Sequence, residues 1–162
     1  MKALIVYYTM GGSTGIVTKE IKKHFNFNVW EAGIRRVKAK TNFIKVLFNT
    51  LLSKPVEIGH GKCNLDEYDI ILIGTPVWAG KPNAAVLAFV DSLPDYKDKK
   101  FICFSVSLFG QNKAAEIISN AITEKKGTVI GTYSFKAKNL KKNLQDEVEK
   151  FLDILNVLEA VQ

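Results

Sequence analysis

Ala3-Leu4-Ile5-Val6-Tyr7 is followed almost at once by Thr9-Met10-Gly11-Gly12-Ser13-Thr14-Gly15, and these two pieces decide how the chain folds. The first is apolar throughout instead of alternating in polarity, the pattern of a parallel strand covered on both faces. The second is a turn rich in glycine and hydroxyls. It leads into Ile16, Val17, Ile21 and Phe25, which recur at a helical period with lysines on the other face. Strand, turn and helix in that order make the first half of a βαβ unit.

The alternation repeats along the chain. Strand-like runs are read at Lys2–Tyr8, Phe27–Trp30, Asp69–Gly74, Lys100–Ser105 and Thr128–Tyr133. Helical spacing is read at Asn42–Ser53, Pro82–Ser92, Gln111–Lys126 and Leu140–Leu158. Pro82 is placed at or near a first helical turn, where a missing N–H costs little, and Gly127 is read as the signal that ends its helix. Arg35–Asp66, which contains Pro55, Gly59 and Gly61, reads as an elaborated excursion between strand and helix. Without repeat or linker, the expectation is one domain over residues 1–162. Its fold class is α/β, a three-layer doubly wound sheet of five parallel strands.

A chain of 162 residues that is 47% hydrophobic and 24% charged excludes disordered and low-complexity classes. Its apolar runs are far shorter than the ~20 residues of a membrane span. The N-terminus lacks a long apolar region and a small-residue cleavage site, so it reads as a strand and predicts a cytoplasmic protein. Cys63 and Cys103 form no CxxC pair, and His24 and His60 have no metal-ligand spacing. No metal site is expected, and Cys103 is read as a small buried hydrophobe. The net charge is +7, and between Glu31 and Lys62 seven basic residues face only Glu31 and Glu57. Such a face either solubilises the chain or attracts acidic partners. Without interleaved aromatics or a helix-turn-helix, nucleic acid is not the expected partner.

In an open parallel sheet, ligands bind beyond the carboxyl ends of the strands, where strand order reverses. Three stretches fall there: Thr9–Gly15, Thr75–Pro82 and Ser105–Gln111. The first could hold a phosphate with backbone N–H groups, hydroxyls and a helix N-terminus; otherwise it is an ordinary capped turn. It matches neither GxGxxG nor GxxxxGK[ST]. In the second, Trp78 either faces a flat ligand or packs into the core. The third adds Phe109 as another aromatic. A phosphate nest beside an aromatic slot suits a flat heteroaromatic ring with a phosphate tail.

At these residues the chain resembles the flavodoxin family. Thr9-Met10-Gly11-Gly12-Ser13-Thr14 is similar to its phosphate loop, Ser/Thr-x-Thr/Ser-Gly-x-Thr, with Gly11 in place of a hydroxyl residue. Gly74-Thr75-Pro76-Val77-Trp78 looks like its next loop, where an aromatic follows a Gly-x-Pro-like strand end. No large insertion interrupts Thr128–Phe135, so the resemblance is to the short-chain type and spans essentially the whole chain. Flavodoxin is the standing illustration of strand order 2-1-3-4-5 with FMN at the switch point, so that order comes from the resemblance. The resemblance implies noncovalent FMN. Thr9, Gly12, Ser13 and Thr14, in one turn with Met10 and Gly11, would hold its phosphate. Trp78, carried by Pro76 and Val77, would stack on the flavin. The Ala79–Gly80 peptide would sit at flavin N5 and flip on reduction. Ser105, Ser107, Leu108 and Gly110 would line the pyrimidine end, with Phe109 as a second stacking residue. No side chain is assigned as acid, base or nucleophile.

The implied function is electron transfer between redox partner proteins, with acidic docking faces suited to a basic chain. The alternative is an oxidoreductase acting directly on a small substrate, of quinone reductase or porphyrin-precursor oxidase type. A third reading is a binding module that keeps the fold without the flavin. Family members that carry electrons at low potential are acidic around the flavin. The three loops here contain one charged residue, Lys81, which predicts a less negative potential for the second electron.

Overall fold

Strand β1 (Ala3–Tyr7) is buried almost throughout, as its unbroken apolar run requires. The structure, a computed structural model, describes residues 2–24, 29–33, 35–36, 58–59, 65–93, 96–97 and 99–159. On one side β1 pairs in parallel with β2 (Val29–Gly33), on the other with β3 (Ile70–Trp78). Parallel pairing continues to β4 (Lys100–Ser107) and β5 (Thr128–Lys136). The spatial order is β2-β1-β3-β4-β5, as the resemblance implied.

Successive residues of each inner strand feed opposite faces of the sheet. Leu4, Val6, Ile71, Ile73, Phe101 and Cys103 pack under α2 (Ala84–Ser92) and α3 (Ala114–Glu124). Ile5, Leu72, Ile102 and Phe104 pack under α1 (Ser13–His24) and α4 (Leu140–Glu159). On this second side Phe104, Tyr133, Phe135 and Phe151 form a ring cluster with centroids 4.7–5.9 Å apart. Burying each such ring contributes roughly 1.5–3 kcal/mol. Gly74 lies under this cluster: a Cβ there would stand 2.3 Å from the Phe104 ring.

The elements differ from the sequence reading mainly at their ends. Strand β2 covers Val29–Gly33, three residues beyond the end read at Trp30, while Phe27 and Asn28, read as its start, lie outside the described residues. Strands β3 and β4 run on to Trp78 and Ser107, so Thr75–Trp78 and Ser105–Ser107 are strand and not loop. Strand β3 outlasts β1, whose final pair is Tyr7 with Gly74, and Pro76 falls where no β1 neighbour remains. A residue without an N–H is cheap there. Pro82 stands near the first turn of α2, two residues ahead of it, in a short return strand, Lys81–Pro82, and Asn83 caps the helix. Helix α3 stops at Glu124, and the left-handed residue behind it is Lys126 (φ 64), not Gly127. Gly127 is small for another reason, since a Cβ would lie 2.5 Å from Ile122. Ile16 and Ile117, read as core-facing, are exposed. Helix α4 is kinked at Asn143.

Within the excursion, Arg35–Arg36 pairs antiparallel with Ile58–Gly59, a two-stranded element the sequence did not suggest. The helix read at Asn42–Ser53, together with Phe25, Phe27, Pro55, His60 and Cys63, lies outside the described residues. Cys103 is fully buried, and burial pushes its thiol pKa up to about 12.

Candidate functional site

The first turn is built by one left-handed glycine. Gly12 has φ +85, a conformation that an L side chain would strain. Its N–H donates to Thr9 Oγ1 at 3.1 Å, and its carbonyl accepts the first helical bond of α1 from Ile16 N–H at 2.9 Å. The N–H groups of Ser13, Thr14 and Gly15 therefore precede the first intrahelical bond at the positive end of the dipole. Gly11 and Gly12 are exposed, and a Cβ at either would meet nothing within 4 Å among the described residues, so these leave the turn open. Thr14 is 1% exposed, and its hydroxyl has no hydrogen-bond partner among the described residues. Met10 is exposed, 3.9 Å from the Tyr8 hydroxyl at its Sδ.

The second stretch is a hairpin. Trp78 pairs with Lys81 across a two-residue turn, Ala79 (φ 49) and Gly80 (φ 76). Two left-handed central residues define a type I′ turn, whose twist matches the flanking strands. Glycine is at ease there; Ala79 is not. At the base, Thr75 Oγ1 accepts from Asn83 N–H at 2.9 Å and donates to Pro76 O at 3.0 Å. Asn83 Oδ1 caps α2 by accepting from Ala85 N–H at 2.9 Å. Asn83 is fully buried, and its Nδ2 has no partner among the described residues. Pro76, Val77 and Trp78 are half-buried, whereas Ala79, Gly80 and Lys81 are exposed. Trp78 is thus held at the end of a strand and is not sunk in the core.

The third stretch is closed by a polar network. Ser105 is fully buried; its Oγ lies 3.0 Å from Ser134 Oγ and 3.1 Å from Asn112 Nδ2. Asn112 Nδ2 also donates to Gly110 O at 2.7 Å, while its Oδ1 accepts from Ala114 N–H at 2.8 Å. Ser107 Oγ accepts from Gly110 N–H at 2.8 Å and donates to Gly110 O at 2.6 Å. Gly110 itself is left-handed, φ +87, with a Cβ position 3.4 Å from the Lys136 side chain. These bonds push the tip outward: Leu108 is 56% and Phe109 77% exposed. Lys138 Nζ stands 6.0 Å from the Phe109 ring centroid.

No protein-family model matches the chain, and no curated protein matches it. Solved structures do. A flavoprotein from Lactobacillus acidophilus NCFM in complex with FMN aligns with a TM-score of 0.72 and 23% identity, covering 87% of this chain and 97% of that one. A flavodoxin from the domain Archaea aligns at 0.64 and 18% identity, covering 98% and 99%. A flavodoxin, WrbA-like protein from Agrobacterium tumefaciens aligns at 0.60 and 17% identity, covering 99% of each chain. The chain has the flavodoxin-like fold.

In this flavodoxin-like order the chain passes from β1 to β2 on one side and then crosses back to β3 on the other side of β1. The switch point therefore lies between the Thr9–Thr14 turn and the Trp78 hairpin. The Leu108–Gly110 tip follows the next strand, β4. All three stretches read as binding loops stand at one edge of the sheet. Within them the side chains divide. Thr14 keeps a buried hydroxyl without a partner among the described residues and Trp78 is half-buried at a strand end, while Ser105 is enclosed and Ser107 is engaged with its own loop. Thr75, Asn83, Asn112 and Ser134 hold this edge together and were not singled out from sequence. Asn83 and Asn112 each precede a helix by a residue or two, a capping signal that was legible. Ser134 is brought in only by the parallel pairing of β4 with β5. Among the described residues no group of three His, Cys, Asp or Glu could hold a metal ion, and no helix is long and apolar enough to cross a membrane.

Proposed function

We propose that this chain binds FMN at the β1/β3 edge and passes electrons to partner proteins through the cofactor's exposed rim. The observation that carries this reading is the pairing of two features across the switch point. One is an open turn of N–H groups with a buried, unpartnered Thr14 hydroxyl; the other is a half-buried Trp78 at a strand end. An anion in the turn gives Thr14 an acceptor and draws on the α1 dipole, with no basic side chain required. Gly11 takes nothing from that geometry, because Ser13 and Thr14 supply hydroxyls and the backbone supplies donors.

Trp78 gives a flat ring system a stacking face, and the Ala79–Gly80 turn borders that face with a peptide group. On the far side the backbone of Leu108 and Phe109, in a loop fixed by Ser107 and Asn112, would offer N–H and C=O groups to the polar edge of such a ring. Bound there, FMN supplies the one- and two-electron chemistry; the protein binds, stacks and sets the electrostatics. Similarity to a flavoprotein crystallised with FMN supports the cofactor assignment. Lys81 and the absence of acidic residues from the three loops favour a negatively charged cofactor, so the potential for the second electron lies above that of acidic flavodoxins.

The test is anaerobic. Protein loaded with FMN and photoreduced is mixed with a one-electron acceptor protein. Rapid reoxidation, with no turnover of NAD(P)H and quinone in the absence of an added reductase, is expected. Steady NADH–quinone turnover by the isolated protein would instead establish the direct oxidoreductase.

A further inference from the structure

Leu108 and Phe109 project from the β4–α3 loop into solvent, and the two segments that meet there carry charge of one sign. Segments 108–113 and 136–142 hold Lys113, Lys136, Lys138, Lys141 and Lys142 and no acidic residue. All five lysines are exposed, and among the described residues the ion pairs engage other side chains. The two segments are joined in space. Ser107 pairs with Lys136, Ala137 N–H donates to Ser107 O at 2.7 Å, and Lys138 lies over the Phe109 ring.

Lys141 and Lys142 stand in the single turn before the kink at Asn143, ahead of the main body of α4. A large exposed aromatic side chain beside exposed lysines is the anatomy of a binding patch with an apolar anchor and a charged rim.

From this juxtaposition we infer that the Phe109 tip and the lysines of the β5–α4 turn form the docking face for an acidic partner protein. The inference rests on the FMN reading only for its purpose, because the patch borders the edge where the cofactor's rim would emerge. It assigns docking to this face, not to the basic 31–62 segment. A protein fits better than a nucleic acid. The centre of the patch is an aliphatic–aromatic pair suited to an apolar contact, whereas single-strand binders present successive rings for successive bases.

Cytochrome b5, an acidic haem protein, serves as the probe. The isotope-labelled full chain is titrated with it and followed by amide chemical shifts. Shifts should cluster in 108–113 and 136–142 and vanish at about 0.3 M NaCl, where attraction between exposed charges is screened. Changing Lys138, Lys141 and Lys142 together to Glu should weaken binding about tenfold or more. The same charge change away from this edge, Lys19, Lys22 and Lys97 to Glu, should weaken it about threefold or less. No binding, shifts centred elsewhere, or equal loss in both variants would overturn the assignment, as would tighter binding of a short DNA duplex to the same face. Flavin fluorescence measured on the same proteins keeps the two ideas apart. A chain that docks cytochrome b5 here but ignores FMN refutes the cofactor alone.

Discussion

Thr14 is the side chain whose energetics most sharply separate a bound from an unbound state. Its hydroxyl is buried without a partner, a state that costs about 1–3 kcal/mol unless a ligand supplies an acceptor. Thr14→Val should therefore leave ligand-free stability unchanged or raise it by about 1 kcal/mol, while weakening FMN roughly fivefold to tenfold. Denaturant unfolding and flavin fluorescence titration read the two quantities separately. Trp78→Ala should weaken FMN by about 1–3 kcal/mol, the worth of one stacked ring. Cys103 gives a pH-dependent prediction. Burial raises its pKa in the fold to about 12, above the ordinary thiol value, so the folded state keeps its proton where the unfolded chain has lost it. Its contribution is fully present below the unfolded thiol pKa and is lost as pH rises toward 12. Tyr96 and Tyr133 act in the same direction, raised mainly by burial. Stability should fall as pH rises above the ordinary thiol range. Alkylation of Cys103 at pH 8 should follow global unfolding, read by mass spectrometry of the modified peptide.

Strand interiors were legible in the sequence because burial on both faces leaves a continuous apolar run, as in Ala3–Val6 and Ile70–Ile73. Their ends were not. Whether β3 stops at Gly74 or runs to Trp78 depends on β4 continuing beside it and on the return strand Lys81–Pro82, both non-local facts. Pro82 stands near the helical turn it was read for, and only the hairpin pairing places it in a strand. The candidate turn at Thr9–Thr14 was readable since its chemistry is local. The Ser105–Asn112–Ser134 network was not, because it joins two loops through a third strand. The type I′ turn carries a test of its own. Ala79 sits at φ 49, so Ala79→Asn or Ala79→Gly should stabilise the ligand-free fold by about 1 kcal/mol in urea unfolding. Gly74→Ala, which drives a methyl into Phe104, should cost about 1–3 kcal/mol or more by the same measurement.

The molecule combines a flavodoxin-like sheet, covered by two helices on each described face, with a basic surface at its candidate binding edge. The core clusters fix the sheet, the sheet sets where β1, β3 and β4 end, and those ends bring the turn, the tryptophan and the Phe109 tip to one edge. The proposed function rests on that edge. The decisive measurement compares FMN with riboflavin in fluorescence titrations of the ligand-free protein. FMN should bind one-to-one with its emission quenched against Trp78, and riboflavin, lacking the phosphate proposed to sit in the Gly12–Thr14 turn, should bind at least about a hundredfold more weakly. Equal affinity for the two, or FMN emission unchanged at micromolar protein, would contradict the account.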